Sequence, residues 1–124
     1  MTISNYLENK LLDAVFNSTA FSVSGDPYVS LHTADPGETG ASEVTGGSYA
    51  RQQAAFGAAA SGAVTNSALI SFTGMPAATV THAAIWDAVS GGNCLWVGAL
   101  SASQAVLVGN TATIAAAALS VTLD

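Results

Sequence analysis

Charge is what this sequence has least of. Of 124 residues, two are Lys or Arg and eight are Asp or Glu, a charged fraction of 8%, against about 25% in an ordinary soluble domain. Lys10 and Arg51 are the whole basic complement. Two cations cannot build the phosphate-neutralising stripe that duplex or single-strand binding requires, so nucleic acid is excluded as the expected partner. An anionic membrane surface is disfavoured for the same reason. The single cysteine, Cys94, rules out an intrachain disulfide and reads as a small buried hydrophobe at the start of a strand.

Long apolar runs are missing too. The first sixteen residues carry Glu8, Lys10 and Asp13 among their apolar positions and lack the cleavage pattern of a signal peptide. Residues 111–123 are too short and too interrupted by Thr and Ser to span a bilayer. The expectation is a chain that is soluble before it assembles and inserts in no membrane.

Groups suited to catalysis are sparse. His32, His82 and one thiol are the tunable side chains. His82 and Asp87 with a serine fail as a hydrolase triad, because no G-x-S-x-G turn is present and a five-residue offset along a strand puts the two on opposite faces. His32, Asp35 and Glu38, with Asp26 and Glu43 nearby, offer nitrogen and oxygen donors, but their spacing matches neither a structural zinc site nor an EF-hand. Gly46-Gly47 and Gly91-Gly92 lack the Gly-Lys or helix start that holds phosphate. The expectation is therefore no enzyme, no cofactor and no metal. Trp86 and Trp96 read as a cross-strand core pair in preference to a carbohydrate platform.

What is present is apolar and small. Hydrophobic residues make up 50% of the chain, and Ala alone is about a fifth of it. With a formal net charge of -6 and so few ionic side chains, the exterior has to be filled with Ser, Thr, Asn, Gln, Gly and Ala, a surface that is cheap to desolvate. Interface centres are depleted in charge in the same way. The composition thus points to an exterior covered by other subunits, in a homo-oligomer or a shell.

Along the chain, Ile3, Leu7, Leu11 and Val15 recur every four residues, with Leu12 and Phe16 widening the stripe, which predicts one amphipathic helix within residues 1–18. Asn5 followed by Glu8 resembles a capping box, and residues 17–19 supply a stop. Residues 28–34 read as a strand with Val29 and Leu31 on one face and Tyr28, Ser30 and His32 on the other. Asp35-Pro36-Gly37 starts a loop to residue 47, predicted to be exposed, mobile and acidic through Asp35, Glu38 and Glu43.

Beyond residue 49, strand-like runs alternate with turn signals at about ten-residue intervals. The predicted strands are 50–56, 68–72, 80–87, 95–100, 104–108 and a last run, 111–123, broken by alanines. Gly91-Gly92 predicts a hairpin between residues 85 and 97, and Gly109-Asn110 a second tight turn. Ala-rich helices over 54–60 and 112–118 are rejected, because these stretches lack caps and a polar face. The fold class is mainly β: one domain over 1–124, an antiparallel β-sandwich or jelly-roll-like barrel spanning 26–124 with an N-terminal amphipathic α-helix.

Taken in order, S-N-Y-L-E-N-K-L-L-D at 4–13, V-S-L-H-T-A-D-P-G-E at 29–38, Y-A-R-Q at 49–52, T-H-A-A-I-W-D-A at 81–88 and the closing L-S-V-T-L-D resemble a family of small tailed-bacteriophage virion structural proteins, over nearly the whole chain. Members are often labelled phage tail fibre proteins, and others are similar to capsid decoration proteins. The resemblance implies a virion component assembled in the bacterial host cytoplasm, with other virion proteins, major capsid or tail, as partners, and a homo-oligomer such as a trimer. It brings no catalytic residues. The leading expectation is a capsid decoration or cement protein, with a tail fibre or tail adaptor as the alternative. The candidate contact residues are Ile3, Leu7, Leu11 and Val15 on the helix and Asp35, Pro36, Glu38 and Glu43 in the loop, one element offering an apolar stripe and the other an adaptable segment.

Overall fold

The computed structural model describes residues 2–123. Strand β1 (Thr2–Ile3) leads into helix α1 (Asn5–Phe16), followed by β2 (Tyr28–His32), a single 3-10 turn (Gly37–Thr39), β3 (Gln52–Gln53), β4 (Ala63–Thr65), β5 (Ile70–Phe72), β6 (Ala78–Trp86), β7 (Cys94–Val106), β8 (Ala112–Ile114) and β9 (Ser120–Thr122). The main sheet has the order β1-β7-β6-β2-β3, and two small sheets, β4-β9 and β5-β8, complete the set. Every pairing is antiparallel. The fold is the mainly β, sandwich-like class with one N-terminal helix that the patterning predicts.

Alternation along the strands builds the core. Val29 and Leu31 of β2, Val80, Ala83 and Ile85 of β6, and Leu95 and Trp96 of β7 pack against Ile70, Phe72, Ala112, Ile114 and Leu119 from the region of the small sheets. Removing an aliphatic or aromatic side chain of this kind from water stabilises the fold by about 1.5–3 kcal/mol. Two small sheets thus do the work of a second layer. On the other side of the main sheet, Ala84, Trp86, Cys94 and Val97 form a separate cluster, with Tyr28 against it.

The two tryptophans lie in different clusters. Trp96 faces the main core and Trp86 the second one. A register shift between Ile85 and Trp86 pairs Trp86 with Cys94, while Trp96 pairs with Ile85. Both rings are buried, but the predicted cross-strand pair is not formed.

Several boundaries differ from the predicted ones for identifiable reasons. The gap expected between strands at 95–100 and 104–108 is a bulge inside one long strand, β7: β6 advances from Val80 to His82 while β7 advances from Ala99 to Gln104. Residues 50–56 pair only at Gln52–Gln53. Strands β1 and β4 went unrecognised because two or three residues carry no period. The two turns appear where glycine predicts them, with Gly91, Gly92 and Gly109 all at positive φ.

Helix α1 starts later than its apolar stripe suggests. Ser4, not Asn5, is the N-cap, accepting a hydrogen bond from the Leu7 amide. Ile3 lies outside the helix, in β1, paired with Trp96 and buried.

Candidate assembly surfaces

Three of the segments that carry the family resemblance, 29–38, 49–52 and 81–88, converge on one cluster. His32 and Ser30 point from β2 to the face opposite Val29 and Leu31, and both are fully buried there. The cover is the loop after β2. Val44 N–H donates to Leu31 O at 2.9 Å and Thr33 N–H to Ser42 O at 3.1 Å, so residues 42–44 lie along the same edge of β2 that β3 occupies further back. Pro36, Gly40 and Val44 are buried. A Cβ on Gly40 would fall 2.2 Å from the Trp86 ring, so glycine alone lets the loop close over the indole. The predicted mobile loop is a lid fixed to the sheet, and the reason is that β2 buries both of its faces.

Below the lid, the hydrogen bonds form a chain. Trp86 Nε1–H donates to Ser30 Oγ at 2.7 Å, and Ser30 Oγ lies 2.6 Å from His32 Nε2. His32 Nδ1 lies 2.7 Å from the carbonyl oxygen of Ala41, which can only accept. The proton is therefore on Nδ1, and Ser30 donates to Nε2. Burial lowers the His32 pKa and outweighs the opposing pull of the Ala41 carbonyl and of Glu43. His32 is a neutral structural linker, with both ring nitrogens occupied.

Beside this chain sits the ion pair. Arg51 meets Glu43 with two hydrogen bonds, Nε to Oε2 at 3.0 Å and Nη2 to Oε1 at 2.9 Å. Its Nη1 donates to the carbonyls of Ala88 and Gly91, and its guanidinium lies 3.7 Å from the centroid of a Trp86 ring. Tyr49 donates to Glu43 Oε2 and accepts from the Leu31 amide. For Glu43, burial pushes the pKa up, but the hydrogen bonds from Arg51 and Tyr49 prevail and hold it below the usual carboxylate value. For Tyr49, burial raises the phenol pKa. Arg51 thus joins β3's approach, the lid and the β6–β7 hairpin in one ionic brace.

The candidate contact residues separate on burial. Ile3 and Pro36 are buried within the chain. Glu43 is committed to Arg51 and Tyr49. Glu38 accepts the Asn5 amide at 2.8 Å, tying the lid to the N-terminus of α1, where the helix dipole favours a carboxylate. Asp35 accepts the Gly37 amide and is exposed. Leu7 and Leu11 are half-buried and line an apolar groove beside Val64 and Val121. Val15 is 73% exposed, and beside it Phe16 is 76% exposed and Leu12 more than half exposed. The far half of the helix stripe is therefore left mostly exposed.

Cys94 is buried as predicted, and that burial pushes its thiol up to about 11. His82 bonds Thr81, and Asp87 bonds the backbone and side chain of Asn93. Among the described residues no three potential metal ligands converge, and no helix is long and apolar enough to cross a membrane.

Sequence reading missed Asn66. It is buried, donates to the carbonyls of Ala68 and Ala115, and accepts the Leu119 amide, holding together the segments between β4 and β9. Nothing in the sequence marked it, because an Asn in a turn-rich stretch reads as a surface residue.

No curated protein matches the chain. The model of one protein family, described as Podophage GP4 fiber I protein gp80, matches residues 2–122, and the chain belongs to that family of phage fibre proteins, structural components of the virion.

Proposed function

We propose that the chain is a non-catalytic subunit of a phage tail fibre, working through contact surfaces in place of chemistry. The family match over residues 2–122 carries this reading. It favours the tail-fibre alternative over the capsid decoration role that was the leading expectation, because the matching family is one of fibre proteins. The geometry is in keeping with it: the densest polar cluster spends its donors and acceptors on itself, and no buried polar side-chain atom among the described residues is left without a partner.

Val15, Phe16 and Leu12 are the proposed contacts to other virion proteins, with Asp35 at the rim. An apolar stripe on an exposed helix is the surface that a groove on a neighbouring subunit takes up. Counting the protein in purified virions against the major capsid protein tests the reading. Tens of copies or fewer, with antibody label at the tail, are expected. Copy numbers near those of the capsid protein, with label over the head, would return the decoration role.

A further inference from the structure

The hydrogen bonds beneath the lid all run in one direction. Trp86 Nε1–H donates to Ser30 Oγ, the Ser30 O–H to His32 Nε2, and His32 Nδ1–H to the Ala41 carbonyl. Only a neutral imidazole permits this order, because its bare nitrogen is what accepts from Ser30. A second ring proton would sit on Nε2 and meet the Ser30 O–H head on. Ser30 Oγ, which already accepts from Trp86, would then take two donors and have to turn its own hydrogen elsewhere, in a site where Ser30 and His32 are both shut off from water.

The surroundings offer that proton no spare counter-ion. The titratable and charged groups facing His32 are Glu43 at the end of the lid, Arg51 and Tyr49 beyond it, and His82, its register partner on β6. Glu43 gives both oxygens to Arg51 and one of them also to Tyr49. Arg51 and a protonated His82 both repel an imidazolium. The other acids of the lid, Asp35 and Glu38, bond the Gly37 and Asn5 amides.

The outer part of the lid, residues 35–42, is built to move as a piece. Its ties to the rest of the chain are Ser42 O to the Thr33 amide, Ala41 O to His32, and Glu38 to the Asn5 amide, and the residues it buries are Pro36 and Gly40. The bond from Ala41 N–H to Pro36 O is internal and travels with it. Ser42, where the segment rejoins the edge of β2, is held at φ +62, a left-handed conformation disfavoured for a residue with a Cβ. Moving this segment leaves β2 paired with β6 and leaves Val29, Leu31 and Val44 in the main core.

We propose that residues 35–42 form a gate worked by protonation of His32, closed on β2 while the imidazole is neutral and swung outward when the ring takes up a second proton. Opening lets water reach the imidazolium and uncovers the indole of Trp86, against which Gly40 lies in the closed form. The direction with pH follows from burial, which lowers the His32 pKa from 6.5 in the closed form. Closure is complete above 6.5 and loses ground as pH falls below it, because His32 binds the proton more readily with the lid open. The movement is a property of the chain itself, and it goes beyond the fibre assignment without depending on it.

Amide hydrogen exchange on the full chain tests it, at about pH 7.5 and about pH 5, on either side of the ordinary histidine value, with rates corrected for the intrinsic effect of pH. Protection of the Thr33 amide is expected to fall by about tenfold at the lower pH, with a ceiling near thirtyfold set by the roughly 1.5 units between pH 5 and the free histidine value. The Val44 amide, bonded to Leu31 O, and the amides of β6 are expected to keep their protection. His32→Gln takes up no proton in this range and is expected to hold Thr33 equally protected at both pH values. His82→Gln and Glu38→Gln are expected to respond to acid as the wild type does. If His32→Gln misfolds or leaves Thr33 unprotected throughout, the His32 ring resonances of the wild type decide, and they are expected to titrate in step with the loss of Thr33 protection. Unchanged Thr33 protection in the wild type, a loss shared by Val44 and β6, a folded His32→Gln that still opens in acid, a control variant that no longer does, or a ring that stays neutral while protection is lost would each overturn the proposal.

Discussion

The lid over β2 and the segments around Asn66 are held together by different means. Near the β6–β7 hairpin, contacts running from Arg51 through Trp86 and Ser30 to His32 fix a long loop to the sheet. Between β4 and β5 and between β8 and β9, the brace is a neutral residue, Asn66, bonded to backbone groups around 68, 115 and 119. The first holds the Arg51–Glu43 ion pair, and the second carries no charge.

The largest expected effect attacks the charged brace. Arg51→Met removes one partner of a mostly buried pair and leaves Glu43 uncompensated, a loss of about 3–5 kcal/mol, read as a lower urea midpoint. That is a large share of the roughly 5–15 kcal/mol that holds a domain folded. Adding Glu43→Leu and Tyr49→Phe should recover part of the loss, since an apolar replacement of the whole group strands no charge.

Asn66→Ala probes the neutral brace. It strands the Leu119 amide and the carbonyls of Ala68 and Ala115, with an expected cost of about 1–3 kcal/mol in thermal or urea unfolding. A cost equal to that of Arg51→Met would erase the distinction between the two braces.

Acid should act on the lid cluster first. The His32 pKa is lowered from 6.5 in the fold, so its contribution is complete above 6.5 and declines as pH drops below that value, because the unfolded chain takes up the proton more readily. Glu43 follows. Its pKa is lowered from 4.5, so its contribution is complete above 4.5 and is lost with further acid. Melting temperature against pH should fall in two stages, and His32→Gln should remove the first. A single stage below 4.5 in the wild type would mean that His32 does not feel its burial.

The smallest expected effect is on the exposed apolar residues. Val15→Glu/Phe16→Glu and Leu107→Glu/Val108→Glu should each change unfolding free energy by no more than about 0.5 kcal/mol, since neither pair packs inside the chain. A larger loss at either site would show that it belongs to the fold.

Much of the β architecture was legible because period-two alternation and glycine turns are local signals: β2, β6 and both turns lie close to where residues 28–34, 80–87, 91–92 and 109–110 place them. The lid was not. Residues 35–47 are polar and turn-rich, which reads as mobile, and only the long-range meeting of Arg51, Glu43 and Trp86 makes them rigid. Ile3 was misplaced for a related reason: its spacing fits the helix, but pairing with Trp96 draws it into the sheet. Val15 matched the helix stripe and still faces solvent, because periodicity reports that a face is apolar and not what covers it.

By itself the sequence determined the fold class, the poverty in charge and the presence of an amphipathic helix, all properties that depend on composition or on neighbours a few residues apart. Tertiary structure alone decided which groups carry structure and which remain free, because whether a side chain is buried depends on segments well outside its own strand or turn. Arg51 is spent on the lid and the hairpin, 8 to 40 residues distant in the chain. Leu107 and Val108 are left outside.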